Sequence, residues 1–292
     1  GHVIRRDAGP FELALLRIAV FGIWFVILLD FDAESFSRLP PEMMDHHVLG
    51  AVVRLVASAP LLQVLKLAAL AGSALCVLGV RPHSLAAGAT ALLILVMDVA
   101  SKSIGSYANH AQTLVLLLAL LLAFFPASDA LSVHRKPPPE RSPWMYRLPL
   151  MAVATLVAAT YAFIGARRLF VGGVSIYTDG SIVRWVVART LEEGAHDISV
   201  GLKVLDHPWL EVPLAVGMLV TTIAEILSPV ALVNQRFRWV WLAVIAGFHV
   251  STLFLMNIFF WENLILLAVL FTPLPALLHA QWTGPQPAAT SP

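Results

Sequence analysis

The stretch Phe11-Glu-Leu-Ala-Leu-Leu-Arg-Ile-Ala-Val-Phe-Gly-Ile-Trp-Phe-Val-Ile-Leu-Leu29 carries two charged side chains, Glu12 and Arg17, in an otherwise apolar run. A helix that crosses the hydrocarbon core of a bilayer needs about 20 such residues. The acidic segment Asp30-Phe-Asp-Ala-Glu34 follows it where a signal peptide would show a small-residue cleavage site, so the run reads as a retained span. Similar runs recur near residues 60–80, 83–100, 109–126, 148–167, 210–234, 237–258 and 261–277.

Composition agrees with this reading. Of 292 residues, 59% are hydrophobic and 13% charged, against about 25% charged in soluble domains. About 170 apolar residues suffice for about eight spans and leave little for a separate water-soluble core. The expected fold is all-α: a polytopic transmembrane helix bundle of about eight spans, give or take one. Residues 1–10 form a cytoplasmic segment, 11–277 the membrane domain and 278–292 a disordered tail. A net charge of +1 with scattered basic residues excludes a nucleic-acid surface. One cysteine, Cys76, excludes a disulfide framework and a cysteine-based metal cluster within the chain.

Lysine and arginine in the loops set the orientation. With the N-terminus inside, the inner loops hold Arg5, Arg6, Arg81, Arg135, Lys136, Arg141, Arg147, Arg236 and Arg238, and the short outer loops only Arg38, Arg54 and Lys102. The long outer loop, 168–209, mixes Arg168, Arg184, Arg189 and Lys203 with Glu192, Glu193, Asp197 and Asp206. Both termini are therefore expected inside. Two loops are longer than ordinary connections. The one at 30–59 contains Pro40-Pro41 and His46-His47 and is expected to end in a short interfacial helix at 48–57. The other contains Ile182-Val-Arg-Trp-Val-Val-Ala-Arg-Thr-Leu191, which predicts a helix at the interface or folded back into the bundle. Pro137-Pro138-Pro139 reads as a stiff linker.

Ionisable groups at membrane depth cost several kcal/mol unless partnered or wetted, so each needs a reason. Arg17 predicts a salt bridge between helices, with Asp98 or Glu225 as partner. Lys66 predicts a side chain that snorkels to the interface. His110, after Asn109, stands among hydroxyl and amide groups in Ser106-Tyr-Ala-Asn-His110. Glu225 lies deep in Thr221-Thr-Ile-Ala-Glu-Ile-Leu-Ser-Pro229 and His249 in Gly247-Phe-His-Val-Ser-Thr252. Glu225 must find a partner on another helix or be held neutral. His249 is either a neutral imidazole bonded across the bundle or a proton-handling group. The histidine and carboxylate spacings give no metal site, and Gly172-Gly173 is not a phosphate loop.

Taken in order, Leu15-Leu-Arg-Ile-Ala-Val-Phe-Gly-Ile-Trp-Phe, Tyr107-Ala-Asn-His-Ala-Gln, Phe163-Ile-Gly-Ala-Arg-Arg-Leu169, Glu225-Ile-Leu-Ser-Pro229 and Phe248-His249 with Asn257 resemble the HTTM module, from about residue 11 to 275. That is the membrane module of vitamin K-dependent γ-carboxylase and its bacterial relatives. The resemblance implies a multi-pass protein of a bacterial plasma membrane with a quinone-sized pocket. In the carboxylase a lysine deprotonates vitamin K hydroquinone. The matching position here is Arg168, after Arg167, and arginine is a poor base. Glutamate carboxylation is therefore not expected. The resemblance points to an outward-facing site for a vitamin K-like quinone or a lipid, with Arg168, His249 and Glu225 as the reacting groups and Asn109, His110, Arg167 and Asn257 as binding groups. Two alternatives stand beside it. One is a non-enzymatic membrane partner for a protein in toxin maturation or export. The other is a small transporter, disfavoured by the lack of matched Gly/Pro breaks.

Overall fold

In the computed structural model residues 9–38, 59–102, 110–134, 140–193 and 199–283 are described, and among them all regular structure is helical. The helices are α1 (Pro10–Asp30), α2 (Ala33–Ser37), α3 (Ala59–Leu78), α4 (His83–Lys102), α5 (His110–Leu122), α6 (Trp144–Gly172), α7 (Ser181–Glu193), α8 (Lys203–Asp206), α9 (Glu211–Ile226), α10 (Ser228–Val233), α11 (Gln235–Met256), α12 (Trp261–Phe271) and α13 (Leu274–Thr283). The expected interfacial helix at 48–57, the proline linker and residues 284–292 of the tail lie outside the described residues.

Among the described residues six helices are long and apolar enough to cross a membrane, and the spans number seven if α12 and α13, bent by 69°, count as one broken span. The protein reads as a multi-pass membrane protein. Three of the expected runs take a form that the sequence reading did not give. The run 109–126 gives only a short apolar helix over Gln112–Leu122. The run 210–234 is divided between α9 and α10 at Leu227, because Pro229 has no N–H to give the Glu225 carbonyl. The Ser228 hydroxyl donates to that carbonyl instead, at 2.6 Å. The run 261–277 bends before Pro273, and helix continues to Thr283, so residues 278–283 are not part of a disordered tail.

The chain forms two compact units, Asp7–Leu150 with Thr272–Pro292, and Met151–Phe271 with Gly1–Arg6. In the first, α1 packs on α3 and α5, α3 on α4, α4 on α5, and α13 on α1. Helix α1 opens on Pro10, whose missing N–H costs nothing at a helix start, and Glu12 Oε2 accepts the Gly9 N–H at 2.9 Å. Lys66 reaches the other end, donating to the Leu29 and Phe31 carbonyls at 3.2 and 2.7 Å. Arg17 is wholly buried, and its guanidinium donates to the carbonyls of Ala127 (2.7 Å), Ala130 (3.3 Å), Val77 (3.1 Å) and Leu131 (2.6 Å). The expected partners Asp98 and Glu225 are thus replaced by one carbonyl from the last turn of α3 and three from the segment that follows α5.

Gly79 makes this possible. It ends α3 in the left-handed region (φ +69°), with its N–H bonded to the Cys76 carbonyl and that of Val80 to Leu75. A Cβ there would stand 2.6 Å from Arg17 Nη1.

In the second unit α11 is the hub, packed on α7, α9, α10 and α12. Asn234 caps its start by accepting the Phe237 N–H at 3.1 Å, and Asn257 ends it in the left-handed region. The helix expected at 182–191 is α7, folded back on α9 and α11, where Thr190 Oγ1 donates to the Leu255 carbonyl at 2.8 Å.

Replacing Arg17 by Met leaves four carbonyls without their donor and is expected to cost at least about 3 kcal/mol. Gly79→Ala, which meets both the φ penalty and the clash, is expected to cost about 2 kcal/mol or more. Thermal unfolding of the detergent-solubilised protein measures both. A midpoint unchanged in Arg17→Met would refute the role given to the guanidinium.

Candidate functional site

The second unit gathers three of the residues singled out in the sequence. Gly165 on α6 lies so close to α9 that an added Cβ would stand 2.7 Å from the Glu225 Cβ and 2.9 Å from the Thr222 carbonyl oxygen. This approach lets Arg168, one turn later on α6, meet Glu225 in a two-pronged pair, Nη1 to Oε2 at 2.5 Å and Nη2 to Oε1 at 3.3 Å. The Glu225 side chain is 2% exposed and that of Arg168 20%. Arg168 Nη1 also donates to Thr222 Oγ1 at 2.9 Å, and the Tyr177 hydroxyl donates to the same oxygen at 2.9 Å. The guanidinium carbon lies 6.0 Å from the centre of the Phe248 ring, within the range of a cation–π contact.

His249 is buried on α11, with Nε2 2.8 Å from the Tyr161 hydroxyl on α6. The rings of Tyr161, Phe248 and Phe260 lie within 5.3–6.0 Å of the imidazole. Its Nδ1 has no hydrogen-bond partner. Glu225 thus has a partner on another helix, Arg168 on α6, and the imidazole is bonded across the bundle to Tyr161.

Beside these pairs a cleft of about 320 Å³ opens between α7, α9 and α11. Trp185 and Val186 line it from α7, Leu214 and Met218 from α9, and Val244 and Phe248 from α11. Its polar groups are few: Thr221, Ser251 and Thr252. The hydroxyls of Thr221 and Thr252 donate to the carbonyls of Gly217 and His249, and Ser251 is exposed. Gly217 and Gly247 face each other's helix across the cleft with open space where a side chain would stand. Arg168 reaches the cleft only through Phe248, and His249 is not among its lining residues.

Of the other expected binding groups, Arg167 and Asn257 are not among the residues that line this cleft. Arg167 is exposed. Asn257 is the C-cap of α11, its N–H bonded to the carbonyls of Thr252 and Leu253. Asn109 lies outside the described residues, and so does the side chain of His110, whose backbone begins α5. Near the mouth of the long loop, the Asp179 carboxylate is held below the usual range by the Ser181 hydroxyl and N–H that it accepts from. No group of three metal-ligating side chains occurs among the described residues.

Three site residues were missed in the sequence. Tyr161 is two turns before Arg168 on one face of α6, and Thr222 three residues before Glu225 on one face of α9. That spacing was the available signal. Tyr177 gave none, since it reaches Thr222 from a turn in the long loop, Val174–Tyr177. Comparison of the chain with known protein families, curated proteins and solved structures gives no match.

A buried ion pair is costly to break and cheap to remove whole. Arg168→Met and Glu225→Leu singly are each expected to destabilise by about 3–5 kcal/mol, and the double variant to recover most of that loss. Unfolding midpoints of the four proteins test this, and additive single effects would exclude the coupling.

Proposed function

We propose that the protein is an HTTM-like, multi-pass protein of a bacterial plasma membrane that holds a quinone or similar ring-bearing lipid in the cleft between α7, α9 and α11. The observation that carries this reading is the cleft itself: about 320 Å³, apolar, and open at Gly217 and Gly247. Its volume falls in the range of small-molecule sites, about 300–1,000 Å³. Apolar walls suit a ring and an isoprenoid tail, and the Ser251 hydroxyl suits a quinone carbonyl. Arg168, locked to Glu225 and stacked near Phe248, shapes the wall and has no proton to exchange.

His249 supports a second reading, in which the Tyr161–His249 pair passes a proton during a reaction of the bound molecule. Its buried Nδ1 is free to take a partner that the protein does not supply. A purely structural partner protein would need neither that nitrogen nor the cleft.

Vitamin K2, a menaquinone, added to the purified chain in lipid nanodiscs is expected to raise its unfolding midpoint. Gly217→Val and Gly247→Val fill open space, so they are expected to leave the ligand-free midpoint in place and abolish the rise. A full rise in both variants would overturn the cleft as the site.

The charge distribution of the loops supports an arrangement with both termini inside and the loop 168–209 outside. In a Cys76→Ser background, single cysteines at Ser103 and Glu193 are expected to react with an impermeant maleimide in intact cells, and those at Pro138 and Gln235 only after lysis. The inverse labelling would reverse the orientation.

A further inference from the structure

The first unit has a recess of a different kind. It lies where the C-terminal ends of α3 and α5 and the N-terminal ends of α4 and α6 converge, and it is lined by Arg81, His83 and Ser84, by Phe124, Ser128 and Asp129, and by Arg141 from the approach to α6. Its volume is about 470 Å³. Asp129 is buried at its side and takes Arg141 Nε and the Tyr146 hydroxyl, each at 2.8 Å. Arg81 stands 3.8 Å from the other carboxylate oxygen, too far for a hydrogen bond, so its fork is uncommitted. Two guanidiniums against one carboxylate leave the lining with an excess positive charge.

His83 adds an independent observation. It is 5% exposed, it lines the recess, and neither of its ring nitrogens has a hydrogen-bond partner. The Leu122 carbonyl lies near the ring, but not in the geometry of a hydrogen bond. Polar side chains buried this deeply are almost always bonded. His83 is also the first residue of α4, where the N–H groups of the first turn have no acceptor within the helix. Unused donors, a net positive lining and a helix start suit an anion with several oxygens.

The surroundings place the recess at a membrane surface. It sits at the ends of apolar helices, Phe124 beside it is 80% exposed, and Arg147 lies over the exposed Trp144 ring at 5.8 Å. Tryptophan and arginine at helix ends mark the headgroup level. We infer that this recess binds a phosphate-bearing anion, gripped by Arg81 and Arg141 and hydrogen-bonded by His83. The source is a lipid headgroup, whose chains would follow Phe124, or a soluble phosphate.

The full chain in phosphatidylcholine nanodiscs provides the test, with phosphatidylglycerol built into the disc in one arm and inorganic phosphate added against equal chloride in the other. The readouts are the unfolding midpoint and, by native mass spectrometry, the lipid retained. A midpoint raised by phosphatidylglycerol, with that lipid retained, and an effect weakened about tenfold in Arg81→Gln and His83→Leu, establishes a headgroup site. A rise with inorganic phosphate alone, lost in the same variants, establishes a soluble phosphate site. No rise with either probe, or equal rises in the wild type and Arg81→Gln, overturns the inference. Arg81 makes no side-chain hydrogen bond to Asp129, so Arg81→Gln is expected to fold and decides the matter if His83→Leu does not.

Discussion

Arg17 cannot leave its place, because a wholly buried guanidinium would otherwise face hydrocarbon. The constraint behind it governs the whole chain: in a bilayer every backbone and side-chain polar group must be satisfied from within the protein. The last turn of α3 and the segment after α5 have carbonyls that no helix serves, and Arg17 has donors that no carboxylate serves. Joining them solves both problems at once. The fixed turns then present Arg81 and Asp129 on the recess side, so a residue that touches no ligand determines the shape of a candidate ligand site.

The second unit meets the same constraint by other means. Arg168 and Glu225 neutralise one another where α6 and α9 come closest, and Thr222 links that pair to Tyr177 in the long loop. Just past α9, at the start of α10, Ser228 serves the carbonyl that Pro229 abandons, and Trp241 Nε1 donates to the same hydroxyl at 3.0 Å. Charge is therefore spent on holding helices together, and the cleft beside them remains apolar.

Much of the fold was legible because long apolar runs have one physical outcome, a membrane-length helix. The breaks were less so. Pro229 and Pro273 sit inside runs whose mean hydropathy ignores them, and a helix ends at a single missing N–H. The pairing of Arg17 was misread because salt bridges are sought between side chains, whereas its acceptors are carbonyls that only the folded turns bring together. Glu225 was legible as a group that needs a partner, and Arg168 as a cation that a site would use. That the two belong to each other depends on Gly165, whose contact with α9 no single sequence discloses.

Glycine in the second unit illustrates why the cleft could not be read at all. Gly165 is where two helices touch, and a methyl group there would meet the Glu225 side chain and the α9 backbone. Gly217 and Gly247, in equally apolar helices, have nothing within 4 Å of a would-be Cβ. In sequence the three look alike, small residues in membrane helices that suggest close packing. The difference is one of surroundings: α7 folds back on α9 and α11, and Gly217 and Gly247 line the cleft among the three, with Trp185 and Met218 as walls. A small residue then makes volume instead of contact. Volume kept in a membrane helix bundle at the cost of lost dispersion contacts is a reason to look for a molecule that fills it.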